Sequence, residues 1–402
     1  MGQEGEDQHR APAHAVPSVQ VLDRILPHMK RLGVTRLADL TGLDCIGIPV
    51  YAAHRPNARS LAVTQGKGAT IADAKVSALM EAVELSYAET PVLPLRLASA
   101  DDLAKSENVI DLERLPRISD HPISRSKPVL WAEGKALSDD HTVWVPYELV
   151  HMDYTLPLQP GLGCFLMSST GLASGSSVDE ATCQALAETL ERDAVTLWKR
   201  NPSIMASCRV DLHSVTDPTC KALLDRFDAA GVACAVWDVT SDLGIPAFFA
   251  TIIDRQDDTR RGLQAASGAG CHPARGIALS RALTEAAQSR LTLISGARDD
   301  RTRDYYEARR NAETLRSQRA EIVEADTPHR FDQVPLHQVR SPRDSLNCML
   351  AALERAGLEV PVAVDLSVPD LPATVIRVIA PGLEGTSYAP GYRPGARARK
   401  VL

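Results

Sequence analysis

Apolar residues along the chain fall into two rhythms. Val21, Leu22, Ile25, Leu26, Met29 and Leu32 recur at helical spacing and predict a helix over 21–32. Ser177–Arg200 carries Leu186, Leu190, Val195, Leu197 and Trp198 as apolar surface and predicts one long helix. Short runs rich in Val, Ile, Phe and Trp predict strands at 43–50, 60–63, 128–132, 142–146, 232–239, 247–254, 360–368 and 373–379. A further helix is predicted over 341–357. The charged stretch 301–325 predicts an exposed helix, with a peptide-docking surface as the sharper alternative. Helices and strands interleave, so the expected class is mixed α/β.

Three of the helices share a polar face. Ser177 with Glu180 reads as a capping box, and Gln184, Glu188 and Glu191 follow at i, i+4 and i+7. Earlier, Gln65-Gly66-Lys67-Gly68 precedes Thr70 and Asp73, a second box, with Ser77, Glu81 and Glu84 behind it. Cap and first carboxylate are eleven residues apart in both, Thr70 to Glu81 and Ser177 to Glu188. The third unit, Ser267–Gly270, leads to Arg281, Glu285 and Gln288, with only Ala274 at the cap position. An isolated Glu-x-x-Glu ordinarily marks a solvated face. Its recurrence behind a glycine-rich segment points instead to one composite site.

Carboxylates gathered from separate helices repel one another unless cations hold them. Oxygen ligands in number favour Mg²⁺, which commonly keeps phosphate as a further ligand. Glycine loops at helix starts offer N–H groups to phosphate oxygens. The pattern therefore predicts a Mg²⁺–nucleotide site, although GxxxxGK[ST] is absent. Lys67 is a candidate phosphate contact, in a class of loop lysines that are more often solvated.

The segments SALMEAVE, STGLASG…QALAETLERDA and RALTEAAQSR resemble the three ATP-binding motifs of the YcaO superfamily. The likeness runs from about Arg36 to about Gly382. It implies a YcaO-like fold with an ATP site in a cleft lined by three glutamate-bearing helices. By motif, Glu81, Glu84, Glu188 and Glu191 would belong to the metal site. Ser77, Gln184, Arg192, Arg281, Glu285 and Gln288 would contact nucleotide or metal, with ATP and Mg²⁺ as cofactors. One departure is Leu85, where the family often has an arginine after the first Glu-x-x-Glu.

The family uses ATP to phosphorylate a peptide-bond oxygen after a nucleophile adds to the carbonyl. A neighbouring Cys, Ser or Thr gives an azoline; external sulfide gives a thioamide. The chain ends in PGYRPGARARKVL without the PxPxP tail common among azoline formers. SALMEAVELSYAE is similar to the YcaO proteins that work beside a TfuA partner. The expected activity is thus thioamide formation on a peptide or protein, with a sulfide donor and a separate TfuA-like partner. Azoline formation and a non-catalytic ATP-binding scaffold are the alternatives. A metal-dependent hydrolase would want histidine ligands, and only His272 adjoins a motif.

Composition narrows the setting. The 402 residues suffice for a large core, expected as an arm over 1–17, a helix and strands over 18–66, an ATP-binding core over 67–385 and a basic, extended tail over 386–402. A net charge of −7 argues against nucleic acid or an anionic membrane as main partner. No run reaches membrane-spanning length, and MGQEGEDQHR is no signal peptide. Eight cysteines without a CxxC fit a reduced cytoplasm rather than a zinc site. Cys271 alone is worth testing for reactivity, an incidental thiol being its ordinary reading. Arg298-Asp299-Asp300 reads as an exposed turn in preference to a charge cluster at the site, and family resemblance implies a homodimer.

Overall fold

The computed structural model describes residues 16–118, 124–157, 163–256, 263–308, 311–324 and 326–401; most of the expected N-terminal arm lies outside them. The class is mixed α/β, as expected. A six-stranded antiparallel sheet runs in the order Leu95–Ala98, Val129–Ala136, Val362–Asp365, Thr374–Ile379, Leu172–Gly175, with Thr142–Pro146 also on Val129–Ala136. Two three-stranded antiparallel sheets flank it. One joins Arg36–Asp39, Val50–His54 and Val63–Lys67; the other joins Val232–Asp238, Ala247–Asp254 and Ala266–Cys271.

One strand of each sheet feeds directly into a long helix. Val63–Lys67 leads to Ile71–Glu89, Leu172–Gly175 to Val178–Lys199, and Ala266–Cys271 to Arg275–Ser295. The glycines expected in phosphate-binding loops are mostly in these strands. A methyl on Gly66 would lie 1.9 Å from the amide nitrogen of Ala78, and one on Gly268 2.4 Å from that of Ala286. Facing them, Ala74, Ala78, Ala82, Ala278, Ala282 and Ala286 are fully buried. Glycine and alanine thus let each helix lie backbone to backbone on its own strand, a reason for the glycine pattern that needs no phosphate.

The caps follow the sequence with one change. Thr70 and Asp73 form the reciprocal box. Ser177 accepts the Glu180 N–H at 3.2 Å, but the Glu180 carboxylate takes the N–H of Ser176 instead of the cap's own. Ala274 supplies no side-chain cap, and Gly296, at φ 56°, ends the third helix in the left-handed region.

Elsewhere boundaries move for local reasons. The first predicted helix stops at Ile25 and continues as a 3-10 turn, Leu26–His28, because Pro27 has no N–H to give. The strand expected at 43–50 begins only at Val50; Gly47, at φ 74°, turns the chain before it, and Arg36–Asp39 is a strand the pattern did not show. The strand expected at 60–63 starts at Val63 and absorbs Gln65, Gly66 and Lys67. The stretch 301–325 divides into Arg303–Ala308 and Ala312–Glu324, and Leu315 and Ile322 are buried rather than exposed.

The C-terminal stretch is not simply extended. It carries a short helix, Ala396–Lys400. The Glu384 carboxylate accepts the N–H groups of Gly395 and Ala398 at 2.9 and 2.8 Å and the Tyr392 hydroxyl at 2.7 Å. Arg397 pairs at 3.0 Å with Asp193, a fully buried residue of Val178–Lys199.

The strand glycines give a direct stability test. Gly66→Ala is expected to lower unfolding free energy in urea by at least about 2 kcal/mol through overpacking. Gly42→Ala, where a methyl meets nothing within 4 Å, should stay within about 0.5 kcal/mol of the parent. Equal effects would show that backbone contact does not set the strand–helix spacing.

Candidate functional site

The three long helices converge on one cleft of about 1770 Å³. Ser77, Glu81 and Glu84 reach it from the first, Gln184, Glu188, Glu191 and Arg192 from the second, and Arg281, Glu285 and Gln288 from the third. Lys67 enters from the first strand. All eleven residues singled out in the sequence therefore meet.

Close packing ties most of the carboxylates to backbone. Glu81 accepts the Gln65 N–H at 3.1 Å, Glu188 that of Gly171 at 3.2 Å, and Glu285 that of Ala269 at 3.4 Å. Donor and acceptor are 16 or 17 residues apart each time, the signature of one strand–turn–helix unit used three times. Glu84 crosses between units, taking the N–H and hydroxyl of Ser174 at 2.8 and 2.6 Å.

Cations and amides fill the spaces between helices. Lys67 ion-pairs with Glu285. Arg192 bridges Glu188 and Glu191, at 3.2 Å to each. Arg281 donates to the Gln184 side chain at 2.7 Å and to the Cys271 carbonyl at 3.3 Å. Gln288 donates to the Gln65 carbonyl at 2.6 Å. First, second and third units are thereby laced together.

Negative charge nevertheless exceeds what these partners offset. Burial pushes Glu81 up to about 7 and Glu191 up to about 7, with Glu188 adding to both. Burial pushes Glu84 further, to about 8, reinforced by Glu81 and Glu188. Leu85, next to Glu84 in sequence, is buried, and no ion pair reaches Glu84 among the described residues. Glu285 goes the other way: burial raises it, but Lys67 and Arg192 outweigh that and hold it below the usual value.

Such a set of hard oxygen donors, crowded and short of positive charge, fits a divalent cation such as Mg²⁺. Among the described residues no three acidic, histidine or cysteine groups already converge as a metal centre. The carboxylates stand at the cleft walls on backbone N–H groups or cations, and a cation between them would draw them inward.

Several residues were undervalued in the sequence. Arg298 and Asp300 form a turn, as expected, but both line the cleft and Arg298 acts electrostatically on Glu81. Gln65 joins two helices through its backbone, and its side chain accepts from Thr292. Position within the glycine-bearing segments was the available signal for Gln65 and Ser174. Cys271 is buried with its thiol pushed well above the usual value by burial, so reactivity is not its role. Burial and Arg281 drive His272 down to about 3, and its Nδ1 accepts the Ala274 N–H at 3.0 Å.

Residues 65–384 match the family described as YcaO cyclodehydratase, ATP- and Mg²⁺-binding. An uncharacterized protein in the tfuA 3′ region of Rhizobium leguminosarum bv. trifolii is 38% identical over 96% of this chain and 92% of its own. An uncharacterized protein of Methanothermobacter thermautotrophicus is 35% identical, over 96% and 99%. YcaO from Methanopyrus kandleri, bound with AMPPCP and Mg²⁺, superposes with a TM-score of 0.75 at 21% identity, over 95% of this chain and 96% of that one. A heterocyclase in complex with substrate and cofactor gives 0.79 at 23%, with 97% of this chain spanning 55% of its length. At these identities the two solved structures speak for the fold.

The raised carboxylates make stability depend on pH. Unfolded, they ionise near 4.5; folded, near 7 to 8, so the folded chain holds the extra protons in between. Their contribution is full below 4.5 and is lost as pH rises through 8. Without divalent cation, the melting temperature is expected to fall between pH 5 and 8, less steeply in Glu84→Gln. Mg²⁺ with AMPPCP should restore most at the alkaline end. An identical slope in Glu84→Gln would show that Glu84 ionises normally in the folded chain.

Proposed function

The chain belongs to the YcaO cyclodehydratase family of ATP-dependent enzymes that modify peptide backbones, with ATP and Mg²⁺ as cofactors, and we propose that it converts a backbone amide into a thioamide. The observation that carries the reading is the convergence of the three helices' polar faces on one cleft. Glu81, Glu84, Glu188 and Glu191 would hold Mg²⁺, whose charge spreads that of the transferring phosphoryl group. Lys67, Arg192 and Arg281 supply positive charge for the nucleotide phosphates. Ser77, Gln184, Glu285 and Gln288 orient nucleotide or metal from the same walls.

The chemistry balances simply. Sulfide adds to the amide carbonyl carbon, and the π electrons move to oxygen. That oxygen takes the γ-phosphoryl group and releases ADP; departure of phosphate, which carries off the proton of the added S–H, then leaves carbon doubly bonded to sulfur. The residues at hand suit positioning and charge stabilisation more than proton transfer. The relative in the tfuA 3′ region supports a TfuA-type partner that delivers sulfur. We place the enzyme in the cytoplasm as a homodimer acting on a peptide or protein, independent of nucleic acid. No helix among the described residues is long and apolar enough to cross a membrane. Azoline formation by a substrate Cys, Ser or Thr is the second reading, and the heterocyclase of matching fold is the observation in its favour.

Two experiments test this. Glu188→Gln or Glu191→Gln is expected to weaken Mg²⁺-dependent ATP binding in calorimetry at least about tenfold, the lower end of the loss for even an outer-shell change at a metal site. The fold should survive; unchanged affinity would take those residues out of the site. Intact masses of cellular peptides and proteins, with and without the gene, identify the product. Gene-dependent replacement of oxygen by sulfur supports thioamidation, loss of water supports the azoline reading, and no change leaves only a binding scaffold.

A further inference from the structure

The second helix keeps facing the cleft beyond its glutamates. Val195 and Lys199 lie three and seven residues past Arg192, on the same side, and line the cleft with Trp198. Lys199 stands eight residues past Glu191, about 12 Å along the helix axis. Its surroundings are aromatic. Trp198, Trp237 and Phe249 form a tilted cluster with ring centroids 5.2 to 6.3 Å apart. The Lys199 ammonium sits 4.8 Å from the Phe249 ring centre and 5.4 Å from that of Tyr388, a largely exposed residue.

Among the described residues, every other cation lining the cleft is engaged. Lys67 holds Glu285, Arg192 holds Glu188 and Glu191, Arg281 holds Gln184, and Arg298 and Arg301 face Asp300. Lys199 has no hydrogen-bonding or ion-pair partner among the described residues. Glu321 also lines this end, but it lies in the field of Arg209. The buried Trp198 Nε1 likewise lacks an acceptor. An aromatic wall carrying one ammonium without a carboxylate partner is complementary to an anion on an apolar scaffold. Pockets for one small ligand span about 300–1,000 Å³, so a cleft of 1770 Å³ has room for a second reactant.

We propose that this aromatic end is the subsite for the peptide substrate, and that it takes an acidic side chain of that peptide on Lys199. The aromatic edges cover the flanking apolar residues, and Tyr388 lines the same end of the cleft. The assignment rests on the reading that the glutamate end holds Mg²⁺ and nucleotide. A nucleotide phosphate on Lys199 is the competing occupant; distance from the glutamates and the aromatic surroundings disfavour it.

The test uses the full chain with AMPPCP and Mg²⁺ and three short fluorescein-labelled Gly-Ala-Phe peptides that differ only in a central Asp, Asn or Lys. By anisotropy, the Asp peptide should bind about tenfold more tightly than the Asn peptide, as for a hydrogen bond to a charged group. Lys199→Met should erase that preference, Lys199→Glu should turn it towards the Lys peptide, and calorimetric AMPPCP affinity should stay the same in both. Equal binding of the Asp and Asn peptides, or a preference that survives Lys199→Met, overturns the proposal. A fall in AMPPCP affinity in Lys199→Met overturns it too, giving Lys199 to the nucleotide. Failure of the unmodified protein to bind AMPPCP with Mg²⁺ would instead sink the nucleotide reading, and that outcome does not depend on Lys199.

Discussion

Backbone contact between each long helix and the strand before it is the constraint on which the structure depends. Ordinary side chains would hold helix and sheet apart; Gly66, Gly268 and Gly270 on the strands, against buried alanines, remove that layer. Glutamates on the adjoining face are then close enough to accept strand N–H groups, as Glu81 and Glu285 do. The spacing therefore sets both the core and the position of the carboxylates. It also explains why these helices tolerate so many acidic residues, since Glu81, Glu84, Glu188 and Glu285 each begin with a backbone donor in place of water, and Glu191 with Arg192.

Electrostatics then decides what the cleft is for. Backbone donors and three or four cations do not cancel five neighbouring glutamates, and burial leaves Glu81, Glu84 and Glu191 pushed into the neutral range. A protein selected only for stability would gain by replacing such residues with apolar ones. Retaining them costs stability and creates a strong preference for a hard cation. Arg192, held by Glu188 and Glu191, keeps one guanidinium among these carboxylates.

The sequence displayed the site better than the fold. Spacing alone grouped Glu81, Glu84, Glu188, Glu191 and Glu285, which line one cleft, because helical periodicity fixes a face and the capping residue at Thr70 or Ser177 fixes its phase; Lys67, a candidate in a class of lysines more often solvated, is placed there by its strand. The role of the glycines was not legible in that way. A glycine beside a helix start reads equally as a phosphate cradle or as a place where backbones touch, and only the tertiary partner at Ala78 or Ala286 decides. Arg36–Asp39 was missed because its short, polar-rich run takes its strand geometry from pairing with Val50–His54, not from local propensity. Arg298 was undervalued for a related reason: its place beside Glu81 is made by the fold of a turn more than two hundred residues away in sequence.

Tail and site are mechanically linked through the second helix. Asp193 follows Arg192 by one residue and so points away from the cleft, where it is fully buried. It accepts the Glu384 N–H at 2.9 Å and pairs with Arg397, while burial drives its carboxyl up to about 6. Glu384 in turn holds the start of the last helix. Tyr388 lies on the stretch between these anchors and reaches back over the cleft to Lys199. The second helix therefore presents Glu188 and Glu191 to the cleft on one side and holds the C-terminal stretch on the other. A basic tail that composition marks as extended carries a short helix, and its Arg397 pairs with a buried aspartate beside the site.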